Sequence, residues 1–359
     1  MDGAQVRSGA DLAAVRALLD GHWYDALAVL LEQPSGTAAP EVARARELAA
    51  AARRVLDLDA EDFGVIAEGL DASWGQRLTA SSFPLEPRDR QRGALGSLVP
   101  LYELMLEVLE LRSQRREPLQ IVVTAHLIGE YLAQLAWEST LGHAGDPLRL
   151  GDFVAGSRWG TRDEECPHSS ALRSTAKRAL NACNGDTAGY TAYLDKFHSR
   201  QGEALAICAM NHETIGAGER PDVGETCPNP CSFITRQPME ERRDLDARVR
   251  LALLYVDSPI VSLRHHAPVG HFFGVPSVQE ISNAWLRTWD RLSQPWNDGD
   301  NPLLTAEHGE QPAPDEALPG MASLVSAVAG RPVGPGRLVR DIGADIRRLL
   351  DGQAVEGAA

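Results

Sequence analysis

The segment Leu263-Arg264-His265-His266-Ala267-Pro268-Val269-Gly270-His271 gathers three imidazoles and one guanidinium within nine residues. Imidazole exchanges a proton near neutral pH. Guanidinium stays charged and fits a phosphate through two parallel hydrogen bonds. Together they are the groups needed when an RNA phosphodiester is cleaved by its own 2′-hydroxyl without a metal. An arginine and a histidine with six residues between them are common, so the spacing alone is weak; the density of ionisable groups and the two helix breakers carry the reading. Pro268 and Gly270 interrupt regular helix, so the helix starting near Leu245 is expected to end or kink there and to present these side chains at its terminus. The plainer alternatives are that Arg264 pairs with a carboxylate such as Asp257 or Glu280, and that His271 merely packs against a helix end.

The elements that must position this segment read as helices. Leu12, Val15, Leu18 and Leu19, then Trp23, Leu27, Leu30 and Leu31 after Gly21, recur at helical spacing and predict a helix pair over 10–32. Further helices are expected over 41–57 and over 60–78, the latter with Phe63, Ile66, Leu70 and Trp74 on one face. The clearest lie over 96–115 and 118–141, whose wide apolar stripes suit helices buried in a bundle. Helical signal returns at 240–262. Ser277 and Glu280 form a capping-box pattern ahead of Ile281, Trp285, Trp289 and Leu292. Residues 295–320 are rich in Pro, Asp and Gly and read as a mobile connection, and a last helix is expected over 337–351. No run alternates with the period of a strand. The fold class expected is therefore all-α. It divides into an N-terminal helical region (1–141), a Cys/His-rich insertion (142–243), the helices carrying the Arg/His segment (244–294), and a Pro-rich linker with a C-terminal helix (295–359).

The chain has 359 residues, 43% of them hydrophobic and only 6% aromatic, enough for a sizeable core. The recurring Ala, Leu and Arg favour helix. A net charge of −15 argues against broad nucleic-acid affinity, which rests on basic surface. Arg242, Arg243, Arg248, Arg250, Arg264, Arg287 and Arg291 nevertheless cluster around the Arg/His segment and could form a local basic groove, although a solvated helical face is the commoner arrangement. No Gly-x4-Gly-Lys-Ser/Thr loop occurs, which excludes a P-loop nucleotidase, and no Gly-x-Ser-x-Gly elbow accompanies a sheet. No apolar run is read as long enough to span a membrane. The opening Met1-Asp2-Gly3-Ala4 lacks the features of a signal peptide, so a cytoplasmic location with reduced thiols is expected.

All five cysteines fall between 142 and 243. Cys166 and His168, with Cys227 and Cys231 around a Pro-Asn-Pro turn, offer four ligands of the kind structural zinc takes. Only one short-spaced Cys pair is present, whereas the strong zinc signature has two. Reduced, unliganded thiols are the competing reading.

Three regions resemble the helical HEPN region of type III CRISPR-associated ribonucleases. Ala45 to Leu70, with Asp59, Asp62 and Phe63, is similar to the family's first region. Glu130-Tyr131-Leu132-Ala133-Gln134-Leu135 is similar to its second, and Leu263-Arg264-His265 through His271 to its catalytic motif. His265 stands where the family most often has Asn, and Phe272 where it commonly has Gly. The resemblance implies a metal-independent endoribonuclease acting on single-stranded RNA, requiring no cofactor, in which two protomers join their motifs across a twofold axis. His271 would be the main acid/base group, Arg264 would neutralise the phosphate, and His265 would orient phosphate or histidine. His266 and Arg287 are candidates to contact substrate. The family's upstream cyclic-nucleotide sensor has no counterpart here, so ligand control of that kind is not implied. The resemblance implies a part in prokaryotic defence, or a toxin held by an antitoxin partner. A non-enzymatic helical adaptor remains the reading of a different class.

Overall fold

A computed structural model describes residues 9–32, 39–82, 97–141, 152–159, 173–174, 176–178, 180–181, 231, 236–266, 274–297, 300–305 and 317–356. Among these residues the structure is helical and contains no strand, as the hydrophobic periodicity predicts. The chain forms two compact units. One comprises Met1–Phe83, Glu103–Glu117 and Pro335–Ala359; the other comprises Pro84–Tyr102 and Pro118–Gly334.

In the first unit, α1 (Gly9–Asp20) and α2 (Tyr24–Leu31) form the expected pair, and α3 (Pro40–Leu56) begins with proline at its first turn. The single helix expected over 60–78 is instead a 3-10 turn at Ala60–Asp62 followed by α4 (Phe63–Glu68) and α5 (Ala72–Ala80). The break is made by Asp71, whose carboxylate accepts hydrogen bonds from Trp74 N and Ser73 Oγ and so caps a new helix. The first unit also takes the latter part of α6 (Val99–Gln114). Its buried Arg112, with 8% side-chain exposure, bonds Leu56 O, Asp57 and Glu117. The C-terminal helix, numbered α13 (Leu338–Glu356), packs along α3. Its first amides, Val339 N and Arg340 N, donate to the fully buried Glu107, which stands in for a local cap.

The second unit is built on α7 (Pro118–Leu141). Against it pack α8 (Met239–Val256), the short α9 (Pro259–Ser262), α10 (Val278–Leu292) and α12 (Met321–Ala329). A single turn, α11 (Pro302–Thr305), lies between the last two in sequence. Pro118–Ser139 is by length and composition able to cross a membrane, with mean hydropathy 1.2, which corrects the reading that no segment is long and apolar enough. In this fold 61% of that stretch is buried, so its apolar surface serves the core. Helix α12 had no sequence expectation, although Met321, Leu324, Val325 and Val328 repeat at helical spacing and are all buried. It ends at Gly330, whose φ of 67° is the left-handed conformation of a C-cap.

Candidate functional site

The chain leaves α8 earlier than Pro268 and Gly270 suggest. Asp257 closes the helix, and Ser258 is extended (φ −86°, ψ 161°) because the Pro259 ring disfavours helical geometry in the residue before it. Pro259 then starts α9, and a 3-10 turn over Leu263–His266 follows directly. This turn carries the Arg/His segment and packs on α7.

Its approach depends on Gly129 in the middle of α7. A methyl group there would lie 3.3 Å from Tyr255 Cε1 and 3.6 Å from Val261 Cγ2. The bare glycine lets α8 and α9 close on the helix. Tyr255 fixes the contact: it is fully buried, its hydroxyl donates to Ala125 O at 2.7 Å, and burial pushes its pKa upward. Ile260 N donates to Thr288 Oγ1, tying α9 to α10.

The consequence is a junction between the motif and α7. Arg264 Nη1 donates to His126 Nε2. The same Nε2 lies 2.9 Å from Glu130 Oε1, one helical turn further along α7. The His126 side chain is 13% exposed and that of Glu130 34%. His126 Nδ1 is buried and has no hydrogen-bond partner. Arg264 is half-buried and His265 exposed. A guanidinium, an imidazole and a carboxylate thus meet, and a segment with high ionisable density joins the stretch Glu130–Leu135. His126 was not among the residues singled out from sequence. The signal was there as a His-x3-Glu pair, four residues apart, on a largely apolar helix.

Neither carboxylate proposed as the plainer partner of Arg264 takes that part. Glu280 is engaged in the expected capping box, accepting from Ser277 N and Ser277 Oγ while Ser277 Oγ accepts from Glu280 N. At Asp257 it is the backbone carbonyl that is used, by Arg291 Nη1. Several arginines of the expected basic groove have structural duties instead. Arg248, 5% exposed, bonds Ala136 O, Val328 O, Ser139 Oγ and Asp244. Arg250 stacks 4.3 Å over the Trp296 ring. Arg287 is exposed on α10.

His271 lies outside the described residues, and only the backbone of His266 is described. Cys166, His168 and Cys227 are also outside them, while Cys231 is buried. Among the described residues no group of three His, Cys, Asp or Glu is arranged to hold a metal ion. In the first unit, Asp59 and Asp62 both pair with Arg54, and Phe63 is fully buried.

No family model, no curated protein and no solved structure matches this chain.

Proposed function

We propose that the chain is a metal-independent endoribonuclease of the HEPN type, cleaving single-stranded RNA as a homodimer in the cytoplasm and serving prokaryotic defence. The observation that carries this reading is the junction of Arg264 with His126 and Glu130. A guanidinium that remains half-exposed is held at the surface by the core helix, beside the exposed His265.

In the proposed reaction a base takes the proton of a ribose 2′-hydroxyl. The 2′-oxygen attacks the adjacent phosphorus, the bond from phosphorus to the 5′-oxygen breaks, and an acid returns a proton to that oxygen. The products are a 2′,3′-cyclic phosphate and a 5′-hydroxyl. His271 is assigned the acid/base work. Arg264 neutralises the pentacoordinate phosphate as charge accumulates. His265 orients the phosphate or His271, while His266 and Arg287 contact the strand. One motif supplies few groups, and a twofold pair supplies two sets in one cleft. The HEPN-like bundle and a Cys/His-rich insertion over 142–243 belong to the same proposal. So does structural zinc on Cys166, His168, Cys227 and Cys231, for which one zinc per chain in the purified protein is the expected elemental analysis.

The test is cleavage of a defined single-stranded RNA in EDTA, with Arg264→Ala and His271→Ala as comparisons. Wild type alone should cleave.

One observation favours a second reading, a helical adaptor. An apolar groove of about 630 Å³ lies between α1 and α2, lined by residues that include Leu18, Trp23, Ala26, Val29 and Leu30. Trp23 is 39% and Val29 69% exposed. The Arg115 guanidinium stacks 3.9 Å over the Trp23 ring and holds it in place. An adaptor using this groove would tolerate Arg264→Ala and lose partner binding on Trp23→Ala.

A further inference from the structure

The junction on α7 asks more of one nitrogen than it can give. His126 Nε2 faces a donor, Arg264 Nη1, and an acceptor, Glu130 Oε1. A ring nitrogen is either a bare acceptor or an N–H donor. To accept from Arg264, neutral His126 must carry its proton on Nδ1. Nδ1 is buried and without a hydrogen-bond partner, so that proton is left unsatisfied in the core. To donate to Glu130, Nε2 must carry the proton. Nδ1 is then bare, and Arg264 has no lone pair to bind.

We infer that His126 is a positioning residue that retains Arg264 through Nε2 while the site is empty, and turns to Glu130 when an RNA phosphate draws the guanidinium away. This rests on the reading of Arg264 as the phosphate-binding group. The unsatisfied Nδ1 proton keeps the retained state shallow, so a phosphate offering two charge-assisted bonds displaces it. The exchange takes one proton off Nδ1 and places one on Nε2, leaving the net charge of the imidazole unchanged. Afterwards Nε2–H is bonded to Glu130.

Among the described residues, several other groups packed around α7 are engaged away from His126. Tyr255 on α8 donates to Ala125 O, and Tyr102 donates to Ile128 O. Arg248 on α8 bonds Ala136 O and Ser139 Oγ, more than two turns along the helix, and pairs with Asp244. Helices α9 and α12 carry no ionisable side chain. On α10, Glu280 is held by Ser277 and Arg291 by Asp257 O, while Arg287 and Asp290 are exposed. On the 3-10 turn, His265 is the one remaining described ionisable side chain, and it is exposed.

The experiment is long-range 1H–15N correlation NMR of the full chain labelled at histidine nitrogen, with His126→Gln assigning the signal. Measurements near pH 8, where free imidazole is neutral, compare wild type with Arg264→Ala, each with and without inorganic phosphate. Wild type without phosphate should show the Nδ1–H tautomer. Arg264→Ala, and wild type saturated with phosphate, should show the Nε2–H tautomer. The same tautomer in wild type and Arg264→Ala would overturn the proposal, whatever the cleavage assay gives. A second readout uses RNA binding. Because a competing hydrogen bond is removed, His126→Ala should bind RNA roughly two- to tenfold more tightly. Unchanged or weaker binding by a variant with wild-type helical content would also overturn it. Failure of the nuclease reading is recognised separately, by a wild type that switches tautomer with phosphate yet never cleaves.

Discussion

Arg248 and Arg264 lie on the same stretch of chain and read alike in sequence, but their surroundings give them different work. Arg248 is buried, with its guanidinium spread over two backbone carbonyls, a serine hydroxyl and Asp244. Arg248→Ala should strand these acceptors and cost about 2–4 kcal/mol in urea denaturation, the scale of a lost buried hydrogen-bond network. Arg264 is half-buried and has one side-chain partner shown, His126 on α7. Arg264→Ala should leave the urea midpoint nearly unchanged and lower RNA cleavage by about a hundredfold or more, the effect of deleting one preorganised transition-state donor. The difference was not legible in the sequence, because burial of an arginine is decided by which carbonyls other helices leave within reach. His126 was missed for the same reason: it gains meaning only when a residue 138 positions further on folds back against it.

At the scale of elements, local chemistry was far more legible than long-range contact. The capping box at Ser277 and Glu280 is formed as expected, since every group in it lies within four residues. Ser277→Ala should lower stability by about 1 kcal/mol, measured by thermal unfolding. Bonds from Ser277 lower the pKa of Glu280, so the contribution of the box is present above the ordinary carboxylate range and is lost as pH falls through it. The helix over 60–78 was misread because apolar spacing continues across Gly69 and Leu70, while the decisive event is the capping of Trp74 N by Asp71. Helix α8 ends before the breakers Pro268 and Gly270, because the backbone already turns at Ser258-Pro259. Gly129 is the element-scale determinant of the site. Gly129→Val should overpack against Tyr255 and Val261, lower stability by about 1–3 kcal/mol and separate Arg264 from His126. Cleavage should then fall even where circular dichroism shows the helices intact.

For the molecule as a whole, the all-helical fold follows from composition and periodicity, whereas the return of α13 to α3 depends on contacts that no local pattern announces. That packing brings an acid-sensitive group into the first unit. His22 accepts a left-handed backbone (φ 55°) and contacts the Tyr24 hydroxyl through Nδ1. Burial, then the charges of Arg340 and Arg115, hold its pKa below the ordinary imidazole value of 6.5. A lowered folded-state value means the unfolded chain binds the proton first. Stability is therefore intact above the ordinary value of 6.5 and should fall as pH drops below it towards the lowered value. His22→Asn, which tolerates the same backbone, should flatten this dependence in urea titrations between pH 7 and pH 5. The acidic balance of the chain, −15, makes any RNA contact a local one, and places the weight of the functional account on Arg264 and the segment around it. The most direct measurement is cleavage of a fluorescent single-stranded RNA in EDTA by wild type, Arg264→Ala and His271→Ala, with products analysed for a 2′,3′-cyclic phosphate. Wild type should cleave to that product while both variants fail. Folded, dimeric wild type that leaves the RNA intact, or an Arg264→Ala variant that cleaves as fast as wild type, would contradict the account.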